Sequence, residues 1–233
     1  MRIDHLRNGG RIGTISNAAA RRSTRVLILS VAVLTGLLLE AVTAATVVDP
    51  APKPAHGAAP WPAPEDALGL TVAAGLQPER KETLTHHVHS HLDVFVNGKR
   101  VVVPAGIGIN IKDPDVKTFR DTPDGSKAYG GIELCAEPCI SPLHTHDRTG
   151  ILHTESASPV PNRLGQFFTE WGVRLGRRCV GGYCRPSNIE FYVNGKRYQG
   201  DPRAILLTDR KEIAIVIGTP PKKIPKTADV SNA

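Results

Sequence analysis

The chain is poor in several residue types that mark common functions. Met1 is its only methionine, which removes the axial methionine of a blue-copper site. Phe, Tyr and Trp make up 5% of the 233 residues, too few for a stacking platform that reads nucleic acid. No nucleic-acid recognition motif is present, and no nucleic-acid partner is expected. H-E-x-x-H and G-x-S-x-G are both absent, excluding the two hydrolase signatures most easily read from sequence. Acidic residues are scarce at one end only. Residues 1–25 carry six arginines against Asp4 and so account for five of the seven net positive charges. The basic balance belongs to a leader, not to a charged surface.

The segment after the leader is long and apolar. Residues 26–48 carry one charge, Glu40, and are long enough to cross a bilayer core of roughly 30 Å. Two readings fit this run. A signal peptide would be cleaved after Ala44, with Val42 and Ala44 as the small residues of the site. The favoured reading is an uncleaved anchor, because the apolar run outlasts an ordinary signal core. Arginines before the span keep that end in the cytoplasm. Both readings export the rest, either held at the cell membrane by one span or secreted. Residues 49–65 alternate Pro with Ala and small polar residues, which predicts a semi-rigid stalk. Residues 66–221 are expected to form the extracytoplasmic domain, and 222–233 a flexible tail.

Cysteine usage agrees with export. Four cysteines allow three pairings, and the short gaps favour Cys135–Cys139 and Cys179–Cys184. The rival is a four-cysteine zinc site, although neither spacing is C-x2-C. Two stretches share V-N-G-K-R, at 96–100 and 193–197. Each sets alternating apolar residues before an Asn-Gly pair suited to a type I′ turn, so both predict hairpins. Leu164, Phe167, Phe168, Trp171 and Leu175 fall at helical spacing. They predict one amphipathic helix over 163–172, with Asn162 as its cap and Gly172 as its stop. "KEIAIVIG" reads as a central strand. The fold class is α+β, mainly antiparallel sheet with one helix, in an order that resembles the β-grasp plan.

Histidine is the abundant chemistry. Seven of nine histidines lie between 86 and 153. In a strand, alternation turns Val88, Leu92, Val94 and Val96 to one face and His87, His89, His91 and Asp93 to the other. Neighbours on that row stand roughly 7 Å apart at Cα, near enough for two imidazoles to share an ion but not for three. "SPLHTHDRTGILHTE" supplies a second pair, His144 and His146, followed by His153 and Glu155. Two H-x-H pairs on facing strands close a four-coordinate site, and three histidines leave a position for water. Asp93, Asp147 and Glu155 are candidates to orient the imidazoles from behind. A nitrogen-rich set suits Zn²⁺ or Cu²⁺. The plain alternatives are a solvated polar strand face and, for His153, a satisfied core histidine. The cupin pattern, H-x-H with Glu four or five residues on, is not met, since Gly150 and Ile151 stand there.

"HSHLDVFVNGKRVVVPAGIGI", "ISPLHTHDRTGILHTES", "LGQFFTEWGVRL" and "DPRAILLTDRKEIAIVIG" together resemble a family of uncharacterised, exported or membrane-anchored bacterial proteins. The resemblance implies export and a single domain, and carries no known activity. The function expected is an exported, membrane-tethered domain that binds a transition-metal ion through paired histidines. The alternatives are a small zinc or copper enzyme with an open water position, and a metal-free envelope module whose histidines respond to pH.

Overall fold

The computed structural model describes residues 57–231. The leader, the apolar run and the first part of the stalk segment lie outside the described residues. No helix among the described residues is long and apolar enough to cross a membrane. In chain order the elements are α1 (Ala67–Ala73), β1 (His86–Val96), β2 (Lys99–Val101), β3 (Lys117–Phe119), β4 (Ala128–Gly130), β5 (Leu143–His144) and β6 (Ile151–Ser156). Then come α2 (Leu164–Glu170), β7 (Cys179–Val180), β8 (Tyr183–Cys184), β9 (Ile189–Val193), β10 (Lys196–Tyr198), a 3-10 turn at Pro202–Ala204, and β11 (Lys211–Ile217). The fold is α+β and mainly β.

One long strand organises the sheet. The order is β10-β9-β11-β1-β6-β5, with β2 also paired to β1. Along one edge of β1 the histidine-rich half, His86 to His91, pairs antiparallel with β6, and Val94 to Val96 pair with β2. Along the other edge β1 runs parallel to β11, so the sheet is mixed. At Asn97-Gly98 and Asn194-Gly195 both residues of each pair take positive φ, which places Val96 opposite Lys99 and Val193 opposite Lys196.

The two faces differ because the β1 side chains alternate. Leu92 and Val94 are fully buried in a core with Leu143, Leu152, Leu164, Phe167 and Trp171. Each such side chain contributes on the order of 2 kcal/mol by leaving water. The helix expected over 163–172 is α2, shorter at both ends. Asn162 does not cap it; its amide is buried and donates to Thr154 Oγ1 at 3.3 Å. Instead Gln166 Oε1 accepts from Arg163 N at 2.8 Å, and Gly172 at φ +66° ends the helix. α1 is a second helix beyond the one expected, started by Asp66, whose Oδ1 accepts from Gly69 N at 2.9 Å. Trp61, within the expected stalk, is buried with its ring edge-on to Trp171 at 5.7 Å. A large indole gains more from that pocket than an extended segment gains from solvent.

The segment between β2 and β5 builds a small second core from Ile109, Val116, Ile132 and Ile140 around the Cys135–Cys139 disulfide. Cys179 and Cys184 form the other disulfide, opposite one another across β7 and β8. No cysteine is free for a metal.

Candidate metal centre

Register assembles the site. His89 of β1 stands opposite His153 of β6, and His153 stands opposite His144 of β5. Directly opposed residues project to the same face, so three histidines form a row across three strands, on the face away from Leu92 and Leu152. The next rung sets His87 opposite Glu155. His146 follows β5 and is clasped by β4. Its Nδ1 donates to Tyr129 O at 2.6 Å, while Tyr129 N donates to His146 O at 2.9 Å.

The two imidazoles of the second pair are fixed in one tautomer. His144 Nδ1 donates to Ser141 O at 2.9 Å, as His146 Nδ1 does to Tyr129 O. In the neutral ring each Nε2 therefore turns its lone pair into the site, and the two atoms lie only 3.2 Å apart. Facing lone pairs repel unless a proton or a cation lies between them. Glu155 Oε1 lies 3.5 Å from His153 Nδ1, 3.7 Å from His144 Nε2 and 3.8 Å from His146 Nε2. Four ligands at about 2.0–2.1 Å around a tetrahedral ion stand roughly 3.3 Å from one another. His153 Nδ1 and Glu155 Oε2 are buried without a hydrogen-bond partner, a costly state that coordination relieves. His144, His146, His153 and Glu155 thus form a buried group that could hold a metal ion.

Electrostatics keep these groups ready to coordinate. Burial and neighbouring histidines push His153 down to about 4, and burial pushes His144 well below its ordinary value. Burial and His87 lower His89 likewise. Burial alone would raise Glu155, but the imidazoles of His146, His153 and His144 around it hold it well below the carboxylate range. His146 is raised: burial pulls it down, and Glu155 and the Tyr129 carbonyl outweigh that. His144, His153 and His89 are thereby kept toward the neutral, lone-pair-bearing form, with the Glu155 carboxylate beside them.

His91 and Asp93 are brought elsewhere. His91 Nδ1 lies 2.9 Å from Glu212 Oε2 and its Nε2 3.0 Å from Thr149 O. The Thr149 carbonyl can only accept, so Nε2 carries a proton, and the ring is an imidazolium when the proton shared with Glu212 sits on Nδ1. Burial works against that charge, and Glu212, Asp93 and the Thr149 carbonyl overcome it, leaving His91 raised. Burial draws Glu212 toward the neutral acid, and the hydrogen bond and charge of His91 oppose that. Asp93 is held by Arg100 Nε at 2.7 Å. Asp147 Oδ1 accepts from Thr149 N at 2.8 Å and shapes the turn before β6. Glu155, expected behind the imidazoles, stands among them.

A cleft of about 430 Å³ reaches His146, His153 and Glu155 from solvent. Leu84, Phe119 and Tyr129 give it apolar walls; Glu82, Asp121 and Asp147 make it acidic, and no lysine or arginine lines it. Glu212, the Ser141 and Tyr129 carbonyls and the cleft were not foreseen from the sequence; it offers no local signal for the Tyr129 and Glu212 contacts, 17 and 121 residues apart. No protein-family model, no curated protein and no solved structure matches this chain.

Proposed function

We propose that the chain is an exported transition-metal-binding protein that holds Zn²⁺ or Cu²⁺ through His144, His146, His153 and Glu155. The observation that carries this is the pair of Nε2 lone pairs 3.2 Å apart, each fixed by an Nδ1–H bond to a backbone carbonyl. Backbone partners on the outer nitrogen are the usual support of a metal-bound histidine. Export and tethering rest on residues 1–48 and on the two disulfides, which suit an oxidising compartment. The family resemblance is part of the same reading. We also read the strands β2-β1-β11-β9-β10, with β1 and β11 parallel and α2 packed on the core face, as a β-grasp core.

A metal-assisted enzyme is the second reading, and the cleft favours it. An open channel of this size admits a small substrate to the ion, and Glu155 would then serve as base to a bound water instead of as fourth ligand. The test of the main reading is metal content by mass spectrometry on the full chain, purified without a histidine tag. We expect Zn or Cu in the parent, lost in His144→Ala/His146→Ala. A parent that takes up neither ion at neutral pH overturns it.

A further inference from the structure

The other H-x-H pair of the sequence, His87 and His89, is not used by this centre. His87 Nε2 and His89 Nε2 lie 2.8 Å apart, on the β1 side of β6, while His144 and His146 lie on its β5 side. The strands carrying the two pairs stand roughly 9–10 Å apart, two strand spacings. Neither His87 nor His89 joins the group of ligand atoms that His144 and His146 form. The ligand atoms instead form two groups, each with members within 4.8 Å of one another: His144, His146, His153 and Glu155, and His87, His89 and His153. Only His153 belongs to both. Its ring lies between the pairs, stacked at 5.4 Å on His144 and edge-on at 4.5 Å to His89. An imidazole has two ring nitrogens, one of them protonated when the ring is neutral; once that proton is released to solvent, the imidazolate can serve one ion at each nitrogen.

We propose that the chain holds two transition-metal ions, the second on His87, His89 and His153, with His153 shared between them. This rests on the metal-binding reading of the first centre. Glu155 Oε1, 3.2 Å from His87 Nε2, supplies negative charge between the two positions. Asp209 approaches His89 on the other side, its Oδ1 3.4 Å from His89 N. Glu82, Asp121 and Asp147 line the approach. These carboxylates offset the repulsion between two divalent ions. The rival position at His91, Asp93 and Glu212 is closed: both His91 nitrogens are bonded and the Arg100 guanidinium occupies Asp93. At Asp113, Asp115 and Cys135 the sulfur is already in a disulfide. The second ion is half-exposed at the rim, so it exchanges faster than the buried one.

The test is titration of the metal-free full chain with Cu²⁺, read by stoichiometry and by electron paramagnetic resonance. We expect about two equivalents per chain, with spectra of magnetically coupled ions. In His87→Asn/His89→Asn we expect about one equivalent with an uncoupled spectrum. One equivalent in both proteins overturns the second position and leaves the first standing. Two equivalents in the variant overturn its placement, and two uncoupled ions in the parent overturn the sharing of His153. No uptake by the parent overturns both readings. The coupling is read on the parent alone, so a variant that fails to fold does not remove the test.

Discussion

Replacing Glu170 with glutamine should change how the stability of the fold depends on pH. Glu170 ends α2, fully buried on the core side of the sheet. Thr71 Oγ1 lies 2.9 Å from Glu170 Oε1 and also donates to Ala67 O at 3.0 Å. A hydroxyl has one proton, so both contacts are satisfied only if the carboxyl is itself protonated and donates to Thr71. Glu170 Oε2 is buried without a partner, which a neutral acid tolerates far better than a carboxylate. Burial raises this group from 4.5 to about 8. Between those values the folded chain binds more protons than the unfolded chain, so stability falls as pH rises. The contribution is complete below 4.5 and gone above 8. The slope is about 1.4 kcal/mol per pH unit. Glutamine keeps the volume and cannot ionise. From pH 5 to 7.5, the unfolding free energy of Glu170→Gln should therefore gain on the parent by on the order of 3 kcal/mol. Urea unfolding of the non-reduced, chelator-treated proteins measures this, followed by tryptophan fluorescence, since Trp171 adjoins the site. The histidines titrate equally in both proteins and cancel in the difference. A variant-minus-parent difference that stays flat across this range refutes the reasoning.

Two further substitutions probe the centre and its surroundings. A Cβ on Gly130 would lie 2.7 Å from His146 Nδ1; Gly130→Ala should tilt that ring off the Tyr129 carbonyl and weaken metal affinity by about 10- to 100-fold. Isothermal titration calorimetry reads the affinity, with a near-parent melting temperature as the control. His91→Asn should leave the metal count unchanged while costing about 3 kcal/mol or more of stability, because Glu212 is left buried without its cation. Denaturant unfolding and metal analysis on the same sample check both halves.

Much of this was legible in the chain because it is local. Asn-Gly pairs set positive φ by themselves, so the turns at 97–98 and 194–195 follow from composition. The two disulfides follow from short gaps that favour local pairing, and α2 follows from helical spacing. Strand alternation put His87 and His89 on one face and the apolar residues on the other. The same alternation treated His91 as their equal, and there it could not discriminate. His87 and His89 lie beside β6, which brings His153 and Glu155; His91 meets β11, which brings Glu212. Which neighbour a strand residue meets is a matter of long-range register, and no residue near His91 in sequence encodes it. The helix α1 was missed because its seven residues carry little periodicity and are stabilised by packing on α2. Glu155 could not be singled out from Glu133 or Glu170 by type alone. Glu133 is exposed beside Lys117 and Glu170 is buried behind the sheet. The sequence alone determined that this protein carries paired histidines on a strand face; only the tertiary structure decided which of them converge. The reason is that metal geometry is set by distances of a few ångströms between strands that pairing, not proximity in the chain, brings together.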